Sequence, residues 1–328
     1  MSIDRAALVL AELPARELGP WLAVALTPVA LVVAWRIRAL DSRSVAGPSR
    51  LDPSVGSPAA LWLSAVIAFF AWLAVQATYV QAVHGAELEA VRQSAASKPA
   101  SQSEAGPTTR DANSILQPRE TVVLAAGSQV FGFAVLLIAD ARLLKPGGLK
   151  RLGLVGGHAA RALAPGLLGA IVALPLTWLV IVITEFAWQQ AGFRPPQDHQ
   201  LIRMLRVSPA ADLKILVAVS AALCAPVFEE ALFRGHVQTA LSAWIAGLLR
   251  QAKPELTETD LPIWPRWLAI GVTAILFALV HEAGWMIPPL FVLAVCLGYA
   301  YERTGNLWVP VVMHAIFNAV SVTWVLAS

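Results

Sequence analysis

The sequence contains few charged residues. Only 14% of its 328 residues are Asp, Glu, Lys or Arg, whereas soluble proteins carry about 25%. The N-terminus lacks the uninterrupted apolar core of a cleavable signal peptide, because charged residues divide its first apolar patch. The chain has two cysteines, Cys224 and Cys296, and both lie in apolar runs. We predict that they are buried free thiols, which say little about the redox compartment.

The sequence also lacks a strong excess of one charge. The net charge is +3, and the basic residues cluster in loops beside apolar segments. This pattern indicates membrane topology signals and contacts with lipid headgroups rather than a nucleic-acid-binding surface. Membrane lipids are therefore expected partners, and nucleic acid is not.

Long apolar runs dominate what remains, since 57% of the residues are hydrophobic. A membrane-spanning helix needs about 20 mostly apolar residues. These runs predict an all-α, polytopic membrane helical bundle with about eight transmembrane helices. The predicted spans are Leu18–Trp35, Pro58–Val83, Thr121–Asp140, Leu163–Trp188, Leu213–Leu249, Trp267–His281, Ile287–Tyr301 and Trp308–Ala327.

The connections suggest three regions. Residues 1–120 hold about two spans and a polar stretch, 84–120, which lacks sustained periodicity and is predicted to be a flexible extramembrane loop. Residues 121–159 hold the third span and the start of a basic surface segment, Arg142–Arg161. Residues 160–328 form the region that carries the polar clusters described next.

Three polar clusters lie within the last apolar helices. They are Glu229–Arg234, Phe277–His281 and His314–Asn318. Ionisable groups at membrane depth are energetically costly, so such a cluster marks a functional site. Purely structural pairing with other groups of the bundle is the alternative for each.

The first cluster suggests a division of roles. Glu229 and Glu230 are adjacent, so on a helix they point about 100° apart. Arg234 follows Glu230 by four residues, where an ion pair forms readily. We therefore predict a structural role for Glu230 with Arg234, and a chemical role for Glu229 as a carboxylate that takes a proton from water.

Helix length relates the clusters to one another. If 213–249 is one long helix kinked near Pro226, Glu229 and His281 lie at a similar depth, roughly 30 Å from the loop between their helices. His314 comes only six residues into the last span. It fits this depth less well and requires tilted or short neighbours.

The two histidine clusters allow several interpretations. His281 alone is typical of an interfacial or capping residue, and Trp285 occupies the place where a zinc-protease helix has its second histidine. His314 and Asn318 project from one helix face. They could donate hydrogen bonds to an oxyanion, His314 could bind a metal, or the pair could form an interhelical hydrogen bond.

Together the clusters resemble a known family. Glu-Glu-x-x-x-Arg, Phe-x-x-x-His and His-x-x-x-Asn, in this order, are similar to the three motifs of the CAAX-processing and bacteriocin-processing (CPBP) intramembrane proteases. The segments Pro226–Gly235 and Thr304–Pro310 resemble the bacterial members. The resemblance covers roughly residues 160–326, and three ordered motifs make it specific.

The resemblance implies peptide-bond hydrolysis inside the membrane. Glu229 and His281 would activate the attacking water, and His314 and Asn318 would stabilise the oxyanion. The implied supporting residues of the motifs are Glu230, Arg234 and Phe277.

Family members have been described both as metalloproteases and as metal-free glutamate proteases. A divalent metal such as zinc could be held by Glu229, His281 and His314. We favour a metal-free site, because Asn318 is a natural oxyanion donor and a rare zinc ligand. His236 is interpreted as a surface or packing residue.

Two alternative functions follow from the same residues. A catalytically silent protein of the same fold could act as a membrane scaffold or regulator, although it would not need all the motif residues. A small-solute transporter is the other, but paired halves with interrupted helices are not apparent.

The expected substrate is a membrane-associated protein or peptide. The many arginines and alanines suggest a bacterial plasma (inner) membrane protein.

Overall fold

The computed structural model describes residues 15–36, 57–96, 116–155, 157–193, 210–255, 262–281 and 284–327. Within these ranges the chain is helical and has no β-strand. The long helices are α1 (Ala15–Arg36), α2 (Pro58–Ala96), α3 (Pro118–Leu143), α4 (Leu163–Gln190), α5 (Ala211–Ala252), α6 (Trp264–Leu279), α7 (Ile287–Thr304) and α8 (Trp308–Ala327). Each predicted span falls on one of them.

The outer surface of this bundle is apolar. Large side chains such as Val32, Phe70 and Ile138 are more than half exposed, as expected of a protein surrounded by lipid. Among the residues that the structure describes, six helices are long and apolar enough to cross a membrane, while α6 and the apolar part of α1, Leu22–Arg36, are shorter. The protein is an integral, multi-pass membrane protein, and the all-helical fold predicted from the sequence is confirmed.

One predicted loop is partly helical. Helix α2 has non-helical backbone angles at His84, where the predicted span ends, but it continues as helix to Ala96. The prediction that 84–120 is a loop is therefore wrong for 85–96 and for the start of α3. The remainder, 97–115, lies outside the described residues.

Helix α5 occupies the centre of the bundle. It is continuous from Ala211 to Ala252, so the long helix predicted through Pro226 is confirmed. Every residue from 230 to 241 is buried, which means that this stretch is surrounded by other helices on all sides. The surrounding helices are α2, α3, α6, α7 and α8.

Glycines allow two pairs of helices to approach closely. A Cβ atom at Gly132 of α3 would lie 2.9 Å from the ring of Phe228 on α5, and one at Gly166 of α4 would lie 2.6 Å from Cγ1 of Val312 on α8. Small residues serve this purpose at helix contacts within membranes.

The connection between α3 and α4 is more than a surface segment. Leu152 is buried, and its carbonyl accepts a hydrogen bond from the Tyr301 hydroxyl at 3.1 Å. The carbonyl of Leu154 accepts a hydrogen bond at 2.8 Å from the side chain of Trp308, the first residue of α8. The carbonyl of His158 accepts one at 2.9 Å from the side chain of Asn306, just before α8. Within the predicted basic surface segment, Arg142–Arg161, the side chains of Lys145, Lys150 and Arg161 are exposed, while the backbone of this part is fixed to the turn between α7 and α8.

Candidate active site

The first polar cluster forms a buried ion pair on α5. Nη1 of Arg234 donates to Oε1 of Glu230 at 2.9 Å, and both side chains are fully buried. Nη2 of Arg234 donates to the carbonyl of Ala294 on α7 at 3.2 Å. The guanidinium also lies over the ring of Phe277, 4.6 Å from its centroid, which is a cation–π contact. Arg234 thus joins α5, α6 and α7.

His314 of α8 completes this cluster. Its Nδ1 lies 2.9 Å from Oε1 of Glu230, the oxygen that also accepts from Arg234. Because a carboxylate only accepts hydrogen bonds, Nδ1 must carry the proton and Nε2 is directed elsewhere. Nε2 lies 3.9 Å from Oε2 of Glu229. Glu230 therefore fixes the tautomer and ring orientation that bring His314 to Glu229.

Glu229 differs from its neighbour in exposure. Its side chain is 20% exposed, whereas that of Glu230 is completely buried. Oε2 of Glu229 has no hydrogen-bond partner in the structure. The 3.9 Å between this oxygen and Nε2 of His314 is a span that a single water molecule could bridge, although the oxygen itself is closed to water in the structure.

Phe277 organises the second cluster. Its ring lies 4.7 Å from the His281 ring and 5.9 Å from the His314 ring, measured between centroids. Nδ1 of His281 is 2.7 Å from the carbonyl of Phe277, so this nitrogen carries a proton and Nε2 is free for chemistry. His281 is partly exposed at the end of α6.

Asn318 lies one turn beyond His314 and contacts α5. Its Nδ2 donates to the carbonyl of Ala221 at 2.7 Å. That carbonyl lies in a π-helical segment, Ser220–Cys224, in which the N–H of Ala225 bonds Ser220 five residues back. The next donor in this register would be residue 226, but Pro226 has no N–H. Asn318 therefore satisfies a carbonyl that Pro226 leaves without a helical partner.

A second π-helical segment, Ala231–Gln238, follows Glu230 directly. Such segments are rare and occur often at functional sites. Here side chains bond the carbonyls five residues back: Nδ1 of His236 with Ala231 at 2.7 Å, and the hydroxyl of Thr239 with Arg234 at 3.0 Å.

A model of the family described as type II CAAX prenyl endopeptidase Rce1-like matches residues 211–320. This part of the chain, about a third of its length, is similar to that family. The match begins with α5 and ends in α8, so it contains all three clusters, while α1 to α4 lie outside it. Comparison with curated proteins and with solved structures gave no match.

The family consists of endopeptidases, and the matched part contains the three motifs that suggested this activity. The match is narrower than the 160–326 predicted from the resemblance. It supports the three clusters as a unit, and the division of the rest of the chain into regions stays a prediction.

The structure brings most of the predicted site residues together. Glu229, Glu230, Arg234 and His314 form one connected cluster, and Phe277 links it to His281. His314 reaches this cluster although it lies only six residues into α8, since its Nδ1 is 2.9 Å from Oε1 of Glu230.

Two features differ from the sequence-based interpretation. Glu230 is more than the partner of Arg234, because the same oxygen also binds His314. His236 is a packing residue and not a surface residue: it is 1% exposed, and its Nε2 lies 2.8 Å from Oδ1 of Asp140 on α3. Asp140 was missed, although an acidic residue at the end of a predicted span is the kind of signal that could have found it.

The predicted alternative of a bound metal can be compared with this geometry. A catalytic zinc site has three protein ligands. Among the side chains that the structure describes, no three His, Cys, Asp or Glu residues are grouped so that they could hold a metal ion. The metal-free preference stays a prediction, and the chemistry proposed below uses the side chains themselves.

Proposed function

We propose that the protein is an intramembrane endopeptidase in which Glu229 activates a water molecule for attack on a peptide bond. The observation that carries the proposal is the approach of Glu229 Oε2 to His314 Nε2, at 3.9 Å. A carboxylate oxygen without a hydrogen-bond partner opposite an oriented imidazole is suited to general base catalysis.

Charge balance supports His314 as the group that stabilises the oxyanion. Glu230 and Arg234 neutralise each other in their buried pair, which leaves the carboxylate of Glu229 to be balanced. Nε2 of His314, 3.9 Å from Oε2 of Glu229, is the ring nitrogen that faces this charge. Its Nε2–H would then donate to the oxygen that becomes negative in the tetrahedral intermediate.

Asn318 and His281 have supporting parts in this proposal. One N–H of the Asn318 amide is bound to Ala221, and an amide has two N–H donors, so the other is available for the oxyanion. His281, with Nδ1 bound to the Phe277 carbonyl, presents Nε2. That nitrogen would assist Glu229 in taking the proton from water and passing it to the departing amine.

The substrate class follows from the family and the surroundings of the site. The family is described as prenyl endopeptidases, so we propose a membrane-associated protein or peptide, with a prenylated C-terminus as one candidate. From the many arginines and alanines in the sequence, we propose that the protein lies in a bacterial plasma membrane.

Two measurements test the proposal. Membrane fractions from cells that carry the protein are compared with fractions from cells that carry Glu229→Gln, using mass spectrometry of peptide termini. New C-termini that appear only with the unaltered protein identify substrates. When cleavage is repeated in ¹⁸O-labelled water, the label should enter the new C-terminal carboxylate. Identical termini in both cells would contradict the proposal.

A further inference from the structure

The imidazole of His236 is held between two acceptors inside the protein. Nδ1 lies 2.7 Å from the carbonyl of Ala231, and Nε2 lies 2.8 Å from Oδ1 of Asp140. Both side chains are almost completely buried, at 2% and 1% exposure. The mechanism proposed above uses neither residue.

The hydrogen bonds determine where the protons are. A carbonyl oxygen can only accept, so Nδ1 of His236 carries a proton. A carboxylate also only accepts, so a second proton lies between Nε2 and Asp140. His236 and Asp140 therefore form a neutral unit of imidazolium and carboxylate, or the equivalent with the proton on Asp140. An apolar residue at position 140 would break this unit.

The unit acts on the turn that follows the catalytic residues. His236 donates a hydrogen bond to the carbonyl of Ala231, and Ala231 comes directly after Glu230. It also begins the π-helical segment Ala231–Gln238, which carries Arg234. In a π-helix the backbone donors bond five residues back, and a bond from a side chain five residues on supports that winding. The direction of Glu230 and Arg234 depends on the winding.

Helix α3 contacts α5 at two levels around the catalytic pair. Gly132 packs against the ring of Phe228, and Asp140 binds His236. On each helix the second contact lies eight residues after the first, about 12 Å further along, so the two helices run in the same direction. Glu229 and Glu230 lie between these levels. Helix α3 is thus a rigid support for this part of α5.

We infer that Asp140 and His236 are positioning residues for the peptidase reaction. Asp140 orients His236, and His236 fixes the turn that directs Glu230 towards His314 and thereby His314 towards Glu229. The inference rests on the proposed function, because it assigns the pair to the reaction of that site. It also gives a role to α3, which lies outside the part of the chain that matches the family.

The test uses the full-length protein in proteoliposomes with a membrane-presented peptide. Asp140→Leu keeps the number and branching of the side-chain heavy atoms but replaces both acceptors with larger methyl groups. We expect kcat to fall about ten- to a hundred-fold, the scale of a small misplacement of catalytic groups. KM should stay within about two-fold, because a residue this deeply buried does not contact substrate. Asp140→Asn can still donate to Nε2 of a neutral His236, so its kcat should lie clearly above that of Asp140→Leu.

Hydrogen exchange separates local positioning from general instability. In Asp140→Leu, exchange should rise in peptides covering 228–240 and stay unchanged in those from α6. Glu302→Gln is the matched control, since it weakens another buried carboxylate contact, 3.6 Å from Arg266. It should lower the melting temperature without changing the kcat of the folded protein.

The outcomes distinguish the inference from the proposed function. A wild-type protein that cleaves, with an Asp140→Leu variant of equal kcat, overturns the inference alone. The inference is also overturned if kcat falls equally in Asp140→Leu, Asp140→Asn and Glu302→Gln, because that pattern reflects lost stability. A wild-type protein that hydrolyses no membrane-presented peptide overturns the proposed function, and the inference falls with it.

Discussion

His314 and Glu230 share a hydrogen bond of 2.9 Å between helices α8 and α5. It joins the first and third motifs, which are more than 80 residues apart in sequence. Its effect is to orient the imidazole, because the bonded Nδ1 leaves Nε2 facing Glu229. The two adjacent glutamates therefore lie on opposite sides of one histidine ring, with Glu230 bonded to Nδ1 and Glu229 facing Nε2.

Arg234→Ala should lower both stability and activity. The change leaves Glu230 buried without its cation, and breaking a buried pair from one side costs about 3–5 kcal/mol. The measurements are folded yield in detergent, melting temperature and cleavage rate. Arg36→Ala, at the exposed end of α1, is the control and should change stability by no more than about 0.5 kcal/mol. An undiminished yield for Arg234→Ala would show that the pair does not hold the bundle together.

Asn318→Ala should destabilise the protein by about 1–3 kcal/mol, because the carbonyl of Ala221 is left without a donor. Pro226→Ala supplies an N–H next in the helical register and should reduce this cost in the double variant. Unfolding free energies of the two single variants and the double variant measure the coupling. If Asn318 also donates to the oxyanion, the double variant should regain stability without regaining activity. Additive costs would contradict the account of Ala221 and Pro226.

Gly153→Ala should destabilise the connection between α3 and α4. Gly153 has φ of +76°, and a Cβ atom there would lie 2.5 Å from the carbonyl oxygen of Gly305. Gly157 is a matched control with φ of +80° and nothing within 4 Å of its Cβ position. Alanine at Gly157 should therefore cost only the backbone strain, about 1–2 kcal/mol. The melting temperature should fall further for Gly153→Ala, and equal falls would show that contact with Gly305 does not matter.

A metal-free site should contain no stoichiometric metal. Elemental analysis of purified, active protein should give much less than one zinc per chain, and prolonged treatment with a chelator should leave the cleavage rate unchanged. Asp and Glu side chains also bind metals other than zinc, so manganese, magnesium and calcium are measured in the same sample. One equivalent of metal that is removed together with activity would contradict the metal-free preference.

Helix positions were predictable because hydrophobic run length determines them. The eight apolar runs correspond to α1 to α8, and even the break at His84 coincides with the predicted end of the second span. The helix beyond it, to Ala96, was not predictable, because its polar composition resembles that of a loop. Side-chain facing correctly separated Glu229 from Glu230, since adjacent residues on a helix point in different directions.

The contacts between helices were not predictable in the same way. Nothing in the sequence relates Asp140 to His236, or Asn318 to Ala221, because each pair depends on how separate helices pack and on a π-helical register. The family resemblance supplied the motif residues but not the second role of Glu230. That role depends on a single oxygen that accepts from both Arg234 and His314.

The most direct test of the proposed site is the cleavage rate of purified Glu229→Gln in proteoliposomes. Glutamine has nearly the same shape but cannot act as a base, so the rate should fall by about 10²–10⁴-fold, the usual contribution of general base catalysis. The melting temperature should stay close to that of the wild type. Glu185→Gln, an exposed glutamate on α4, is the control and should keep the full rate. A folded Glu229→Gln variant that cleaves as fast as the wild type would contradict the assignment of Glu229 as the base.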